Sequence, residues 1–369
     1  MSKLTIIELC LSPDLGGLEL YMINTAKILK NEFNVVSVIN KDSKIAKYYD
    51  ETDSYIELNK TSSFFIFSEA KKLAKLIDKK GVDIIHLHWT KDIPFVVLAK
   101  LLSKSKPKIV QTRHMTMTRF KDDFYHKFLY KNIDLILAVT QQVKEQLERF
   151  IPLGARPEIE LLYAGVKNSE ILSDVEVDKL KQEFNFKKNC FNVGMVGRIN
   201  EPKGQYLLIE AISILREKGV EVDGFFVGNP MEESYLEKLK GIVKDKNLED
   251  NIKFLGFMKN PHNFYKMCDV IVLASKRETF GLVLVEAINS KTAVIGSNSG
   301  GVVEIIEDKK TGLLFDVEDS KSLADKIEFM MNNPELKESM EKLALKKSYE
   351  LFNEEKQFSK LKTIFKRLI

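Results

Sequence analysis

The chain has 369 residues, 44% of them apolar, about twice the length of an ordinary domain and enough for two cores. Lysine and arginine number 57 against 53 aspartates and glutamates, and the net charge of +4 excludes a general nucleic-acid-binding protein. No run approaches the ~18 uninterrupted apolar residues of a membrane-spanning helix, and Cys10, Cys190 and Cys268 are too scattered and too apolar in setting for a disulfide framework.

Met1 to Leu11 is too short for a signal peptide and reads as a first strand, so the expected location is cytoplasmic. Short β-branched runs then alternate with longer amphipathic stretches, the pattern of parallel strands covered by helices on both faces. In the first half the strands are expected at Leu4 to Cys10, Val35 to Ile39, Asp83 to His88, Lys108 to Arg113, Leu135 to Val139 and Glu158 to Leu162. In the second half they are expected at Phe191 to Val196, Gly224 to Val227, Ile252 to Leu255, Val270 to Leu273, Ala293 to Gly296 and Leu313 to Phe315. Each half therefore predicts its own doubly wound, Rossmann-like α/β sheet, the first over residues 1–168 and the second over 190–347. Between them Ala164 to Asn189 loses the strand pattern and contains the polar run Lys167, Asn168, Ser169, Glu170, which marks the junction. After a break near Asn353, the spacing of Leu351, Phe358, Leu361 and Phe365 predicts a last helix, about 352–369, folding back on the first domain.

In open α/β sheets ligands bind beyond the carboxyl ends of strands, where helix N-termini favour anions. Two strand-to-helix turns stand out. After the first strand comes Pro13-Asp14-Leu15-Gly16-Gly17, where paired glycines allow close backbone approach to a phosphate and positive φ. The second half opens alike, with Gly197-Arg198-Ile199-Asn200-Glu201-Pro202-Lys203-Gly204, in which Arg198 and Lys203 are placed to neutralise a diphosphate. An ordinary tight turn and two solvated surface charges are the plainer alternatives. Together the two turns are expected to enclose one pyrophosphate across a cleft between the domains. The stretch from Ala274 to Ala287 adds Glu278, then Gly281 turning the loop into a helix, then Glu286. Carboxylates so placed suit sugar and ribose hydroxyls, or serve merely as surface and capping acids.

The order of these motifs resembles that of the retaining family 4 glycosyltransferases, which have the GT-B fold. The similarity runs from Gly16-Gly17 to Gly300-Gly301. Its most specific part is the Glu-x7-Glu pattern from Glu278 to Glu286, followed by Val196-Gly197-Arg198 with Lys203-Gly204. Phe254-Leu255-Gly256, Ser299-Gly300-Gly301-Val302-Val303-Glu304 and Thr311-Gly312-Leu313-Leu314 are similar as well. The resemblance implies that Gly16 and Gly17 contact the donor phosphates with Arg198 and Lys203 opposite, and that Glu286 binds the ribose. It implies that Glu278 and the backbone of Phe280, Gly281 and Leu282 hold the donor sugar, that His114 lies beside the reacting sugar, and that the base rests near Phe257 and Met258. Where the family often has Pro-Asn-Gly at the junction, this chain has Tyr163-Ala164-Gly165.

His86 and His88 share one face of a strand end, as two metal ligands would, yet no matching Cys or second His pair accompanies them, and no Asp-x-Asp clamp exists. The expectation is no metal and no cofactor, with UDP-sugar or GDP-sugar as donor substrate and basic residues and helix dipoles doing a metal's work. His126 and His262 read as surface residues. From Lys60 to Lys131 sixteen basic residues face six acids, a bias that suits anionic lipid, a phosphorylated acceptor or only water. Phe120, Phe124 and Phe128 share a helical face there, and core packing is the favoured reading over an interfacial helix. The implied function is retaining transfer of a hexose or N-acetylhexosamine to a glycan or lipid-linked acceptor in bacterial lipopolysaccharide, O-antigen or capsule assembly, peripheral at the cytoplasmic face of the inner membrane if the basic segment touches lipid. A nucleotide-sugar epimerase and a non-catalytic nucleotide-sugar-binding subunit are the alternatives; a dehydrogenase lacks its Gly-x-Gly-x-x-Gly turn.

Overall fold

The computed structural model describes residues 3–49, 55–59, 66–168, 172–188, 190–258 and 260–369. Contacts divide the chain into two compact units, Met1–Ala164 with Lys356–Ile369, and Gly165–Glu355.

The first unit runs β1 (Thr5–Cys10), α1 (Gly17–Leu29), β2 (Asn34–Asn40), β3 (Tyr55–Leu58), α2 (Ile66–Lys80), β4 (Ile84–Leu87), α3 (Ile93–Leu102), β5 (Lys108–Arg113), α4 (Phe124–Lys131), β6 (Leu135–Ala138), α5 (Gln141–Phe150) and β7 (Glu158–Leu161). Its described strands form one seven-stranded sheet in the order β3-β2-β1-β4-β5-β6-β7, with every pairing parallel. Ile7, Leu9, Ile85, Leu87 and Ile109 point into the larger core on one face, under α2 and α3. Cys10 and Ile39 meet Met22 and Ile23 of α1 on the other.

The second unit runs α6 (Asp174–Glu183), β8 (Phe191–Val196), α7 (Gln205–Glu217), β9 (Val222–Val227), α8 (Glu233–Asp245), β10 (Ile252–Gly256), α9 (His262–Met267), β11 (Val270–Leu273), α10 (Leu282–Asn289), β12 (Ala293–Ser297), α11 (Val302–Ile305), β13 (Leu313–Phe315), α12 (Ser320–Asn332) and α13 (Pro334–Leu351). Its sheet has the order β10-β9-β8-β11-β12-β13, again parallel. This is the doubly wound α/β architecture expected from the strand spacing.

Two strands depart from expectation. Tyr55–Leu58 forms the edge strand β3, a four-residue segment too short to register beside the polar residues before it. Strand β9 starts at Val222, two residues before the expected Gly224, and its Asp223 is buried and paired with Lys187 Nζ at 3.0 Å and the Asn251 amide at 3.1 Å. The last helix, α14 (Glu354–Leu368), groups with the first unit from Lys356 onward. It buries Phe358, Leu361, Ile364 and Phe365, each worth roughly 1.5–3 kcal/mol over exposure. Lys360 Nζ donates to the Leu161 carbonyl at 2.6 Å, and Lys366 and Arg367 pair with Glu32 and Glu160.

In both sheets chain order reverses in the middle: β1 leads outward to β2 while β4 leads outward to β5, and β8 and β11 diverge likewise. Beyond the carboxyl ends of such a strand pair the two loops separate, which is where a doubly wound fold takes its ligand. At the second reversal the loops pack backbone against backbone. Gly228 has φ +146° and an added Cβ would lie 1.9 Å from the Gly197 carbonyl oxygen. Gly228→Ala should therefore lower stability by about 2 kcal/mol or more, read as a fall in the urea midpoint without a change in slope.

Candidate active site

In the second unit the loop after β8 carries Arg198 and Lys203, the loop after β11 carries Glu278, Phe280 and Gly281, and the loop after β12 carries Gly300 and Gly301. These three are locked together through main chain. Lys276 N–H donates to the Pro202 carbonyl at 3.1 Å, and Gly301 N–H to the Glu278 carbonyl at 2.9 Å. Gly204 (φ +72°) would place a Cβ 2.4 Å from the Ala274 oxygen, and Gly300 (φ +60°) one 2.0 Å from the Glu278 oxygen, so no larger residue fits either position. The loops are thus set by backbone, and their side chains are free to face a ligand.

Lys203 Nζ lies 2.7 Å from Glu278 Oε2, both partly exposed, so two residues expected to bind different parts of a donor form an ion pair. A half-exposed pair of this kind is worth about 1 kcal/mol or less, a small obstacle to a ligand that replaces it. Arg198 is exposed with no ion pair among the described residues. Its carbonyl accepts from the Gln205 amide at 3.0 Å, which anchors the loop. Glu286, half-buried on α10, accepts a hydrogen bond from Tyr265 Oη at 2.6 Å. Burial and that carboxylate hold the Tyr265 hydroxyl well above its ordinary pKa, so it stays a donor and fixes the carboxylate's direction. Tyr265 escaped the sequence reading because a buried Tyr on a short helix looks like core.

Gly281 (φ +103°) caps α10 with no side-chain bond, leaving the N–H groups of the first turn near Leu282 unclaimed by a capping side chain. The Phe280 side chain is buried edge-on against Phe352, so only its backbone is available at the loop. Met258 lies half-buried just past β10, beside the exposed Phe257. Asn200 Oδ1, Gln205 Oε1 and Ser275 Oγ are buried without a hydrogen-bond partner, a concentration of unmet polar atoms at the same strand ends.

In the first unit Gly16 is extended (φ −164°) and Gly17 opens α1, so neither uses the positive φ that the paired glycines suggested. What Gly16 does provide is space, since a Cβ there would lie 3.3 Å from Glu19 Oε2. The turn is pinned by Leu11 N–H donating to Asp92 Oδ2 at 2.9 Å and Ser43 Oγ to the Ser12 carbonyl at 3.0 Å.

Across the first reversal lies a buried polar line that sequence reasoning saw only in part. Glu8, in the middle of β1, is fully buried, with Oε1 at 2.9 Å from His86 Nδ1 and Oε2 at 2.8 Å from His88 Nε2. His86 Nε2 lies 2.7 Å from Thr112 Oγ1, and His88 Nδ1 lies 3.2 Å from Nε2 of His114, which is half-exposed at the end of β5. Parallel register explains the meeting: Glu8 stands beside His86, and side chains two apart share a face, which adds His88 and Thr112. Three of these groups also have ligand atoms within 4.8 Å of one another, the spacing of a metal site. The individual contacts are those of hydrogen bonds, so a cation would have to break them all. Loss of water, opposed by both imidazoles, leaves the Glu8 carboxyl below its ordinary range. Burial and the neighbouring His86 push His88 down to about 4, and burial with His88, His86 and Arg113 holds His114 well below its ordinary value. Arg113 itself is buried and shapes the His114 loop, donating to the carbonyls of Met115 at 2.7 Å and Thr116 at 3.1 Å.

The aromatic set of the basic segment corrects the core-packing expectation. Phe120 is 59% exposed, Phe124 88% and Phe128 43%. The helix buries Leu129 and Tyr130 instead, which turns Phe124, Tyr125 and Phe128 outward beside Lys127 and Lys131. Lys60, at the start of the segment, lies outside the described residues. His126 pairs with Asp123 at 2.5 Å on the same helix. No helix among the described residues is long and apolar enough to cross a membrane.

A family model described as Glycosyl transferases group 1 matches residues 176–347, and one described as Glycosyl transferase 4-like matches residues 8–140. Over 304 residues the chain is 27% identical to an N-acetyl-alpha-D-glucosaminyl L-malate synthase of Bacillus anthracis, covering 80% of this chain and 77% of that protein. It is 24% identical to the capsular polysaccharide biosynthesis glycosyltransferase CapM of Staphylococcus aureus, over 83% and 82% of the two chains. Among solved structures, a glycosyltransferase from Rickettsia africae aligns with TM-score 0.89 at 24% identity, over 100% of this chain and 99% of the other. HepE of Anabaena, solved in complex with UDP and glucose, aligns with TM-score 0.85 at 20% identity, over 99% and 100%.

Burial keeps His88 neutral in the folded chain where the unfolded chain is protonated. Between pH 6.5 and about 4 the unfolded chain binds a proton at this residue that the folded chain refuses, so its contribution to stability is present above pH 6.5 and lost on descent through that window. The melting temperature should fall as pH is lowered from 6.5 to 4, and less steeply in His88→Gln; equal slopes would show that His88 is not held neutral.

Proposed function

Since the chain belongs to the group 1 glycosyltransferases and has their GT-B fold, we propose that this enzyme moves a hexose or N-acetylhexosamine from a UDP- or GDP-sugar to a glycan or lipid-linked acceptor. Retention of anomeric configuration is part of the proposal, as is a role in bacterial surface polysaccharide assembly. CapM and an O-antigen biosynthesis glycosyltransferase of Escherichia coli, WclY, 24% identical over 85% of this chain, support that setting. The observation that carries the donor reading is the Lys203–Glu278 pair on glycine-locked loops at one strand reversal, with Arg198 on the first of those loops and the Tyr265-bound Glu286 on α10, the helix that the second loop opens.

Each residue has a proposed part. Arg198 and Lys203 take the diphosphate, and the amides of the Gly16-Gly17 turn are phosphate donors as well. Glu286 accepts from the ribose hydroxyls, and Met258 lies by the base. Glu278, freed as Lys203 turns to phosphate, accepts from sugar hydroxyls beside the main chain of Phe280, Gly281 and Leu282. As the anomeric C–O bond breaks, its electron pair stays on the diphosphate, whose growing charge the two cations and the amides stabilise. The acceptor oxygen bonds to the oxocarbenium-like carbon on the same face and its proton passes to the departing phosphate oxygen, so no protein nucleophile is required. His114 lies beside the sugar. No metal enters this scheme.

The solvent face of α4 fits a peripheral membrane contact. Phe124 and Phe128 are placed to enter the acyl boundary, with Lys127 and Lys131 at anionic headgroups, as in interfacial helices.

Arg198→Ala should lower kcat/KM by about 100-fold or more with little change in melting temperature. In the wild type one of UDP-, GDP- or ADP-sugars should raise the melting temperature, and transfer should continue in EDTA; near-normal activity of Arg198→Ala would remove the phosphate assignment. Sedimentation with phosphatidylglycerol vesicles should exceed that with phosphatidylcholine and drop severalfold in Phe124→Ser/Phe128→Ser, whereas equal binding by both proteins would reject the α4 surface.

A further inference from the structure

We infer that Glu8, acting through His88, is a positioning residue that fixes the His114 ring as its Nε2–H tautomer and leaves Nδ1 bare as a hydrogen-bond acceptor for a substrate hydroxyl. The tautomer follows from contacts within the first unit alone, while its use in transfer rests on the assignment of His114 made above.

The chain of protons has one consistent solution. Glu8 is an ionised carboxylate with acceptors only, so the nitrogens facing it, His86 Nδ1 and His88 Nε2, must both carry hydrogen. The reverse tautomer of His88 would set a ring lone pair against a carboxylate oxygen at 2.8 Å. With its proton on Nε2 and the ring neutral at physiological pH, His88 Nδ1 is an acceptor. The only hydrogen that fits the 3.2 Å gap to His114 is then the one on His114 Nε2. A neutral imidazole has one ring proton, so Nδ1 of His114 has none. That nitrogen has no partner among the described residues, and His114 is half-exposed where its neighbours are buried.

The surroundings hold the line rigid. Tyr21 meets the His114 ring edge-on at 5.1 Å, and Phe358 of α14 stacks on Tyr21 at 6.1 Å. Phe365 of the same helix meets His86 edge-on at 5.3 Å. The returning C-terminal helix thereby excludes water from all of the line except its last ring. With the proton of His86 held on Nδ1 by Glu8, Thr112 donates its hydroxyl hydrogen to His86 Nε2 at 2.7 Å and completes the far end.

Two-bond ¹H–¹⁵N spectra of the full-length ¹⁵N-labelled protein at pH 7.5 read the ring protons directly. The expected wild-type result is His88 and His114 both as Nε2–H tautomers with unprotonated Nδ1. In Glu8→Gln, whose side chain faces His88 with either an oxygen or an amide, both rings should show mixed tautomers. The kcat should fall about 10-fold, the magnitude typical of a lost orienting partner, while donor KM stays within about twofold. A wild-type His114 carrying its proton on Nδ1, or on both nitrogens, overturns the inference, and it does so even if Glu8→Gln fails to fold. The expected spectra together with a fully active His114→Ala would leave the relay standing and remove His114 from the reaction instead.

Discussion

Parallel strands joined by right-handed crossovers cannot grow a sheet in both directions without reversing order somewhere, and the buried Glu8–His114 line and the glycine-locked loops of the second unit lie at the two places where that happens. At β1/β4 and at β8/β11 the loops leave in opposite directions, so the strand ends are not covered by their own connections. Main-chain N–H groups and loop side chains are then exposed together at a position fixed by a rigid sheet.

The two reversals solve the same problem with different materials. In the second unit, positions are set by backbone against backbone, with glycines at 204, 228, 300 and 301 removing the Cβ atoms that would part the loops. Charged side chains then hang from a frame that does not depend on them, and Lys203 and Glu278 can exchange each other for a ligand at small cost. In the first unit the frame includes the side chains. A buried carboxylate is expensive unless every lone pair is used, and Glu8 is tolerated because register brings two imidazoles to its oxygens.

Most of this was legible in the sequence where a local pattern decides structure. Twelve strands were read from β-branched runs, and the Gly-Arg and Glu-x7-Glu turns from residues whose spacing is local. The failures are those of residues whose role depends on partners far along the chain. Glu8 sits in Ile6-Ile7-Glu8-Leu9-Cys10, and a charge amid a strand apolar on both faces was the available signal that a partner must exist; His86 and His88 were noticed, but 78 and 80 positions away. Tyr265 and Glu286, or Asp223 and Lys187, are likewise pairs that only the folded sheet makes neighbours. Phe120, Phe124 and Phe128 failed for another reason. Phe120 lies before α4 and is on no helix; for Phe124 and Phe128, helical periodicity says that residues share a face and says nothing of which way the face looks, and here Leu129 and Tyr130 took the inside.

That outward face also changes what the basic segment means. Its charge excess is not uniform in use: Arg113 is buried and holds the His114 loop, and Lys100 is spent on Asp134 at 2.8 Å. The lysines of α2 lie exposed along a helix whose apolar residues are mostly buried, which is the ordinary state of a solvated helix. Around α4 exposed Lys127 and Lys131 stand beside Phe124, which is 88% exposed, and Phe128. Water solvates the cations well and the rings badly, so charge alone would give no reason to single out this helix. The rings do, because leaving Phe124 almost wholly in water is costly unless an apolar phase takes it up.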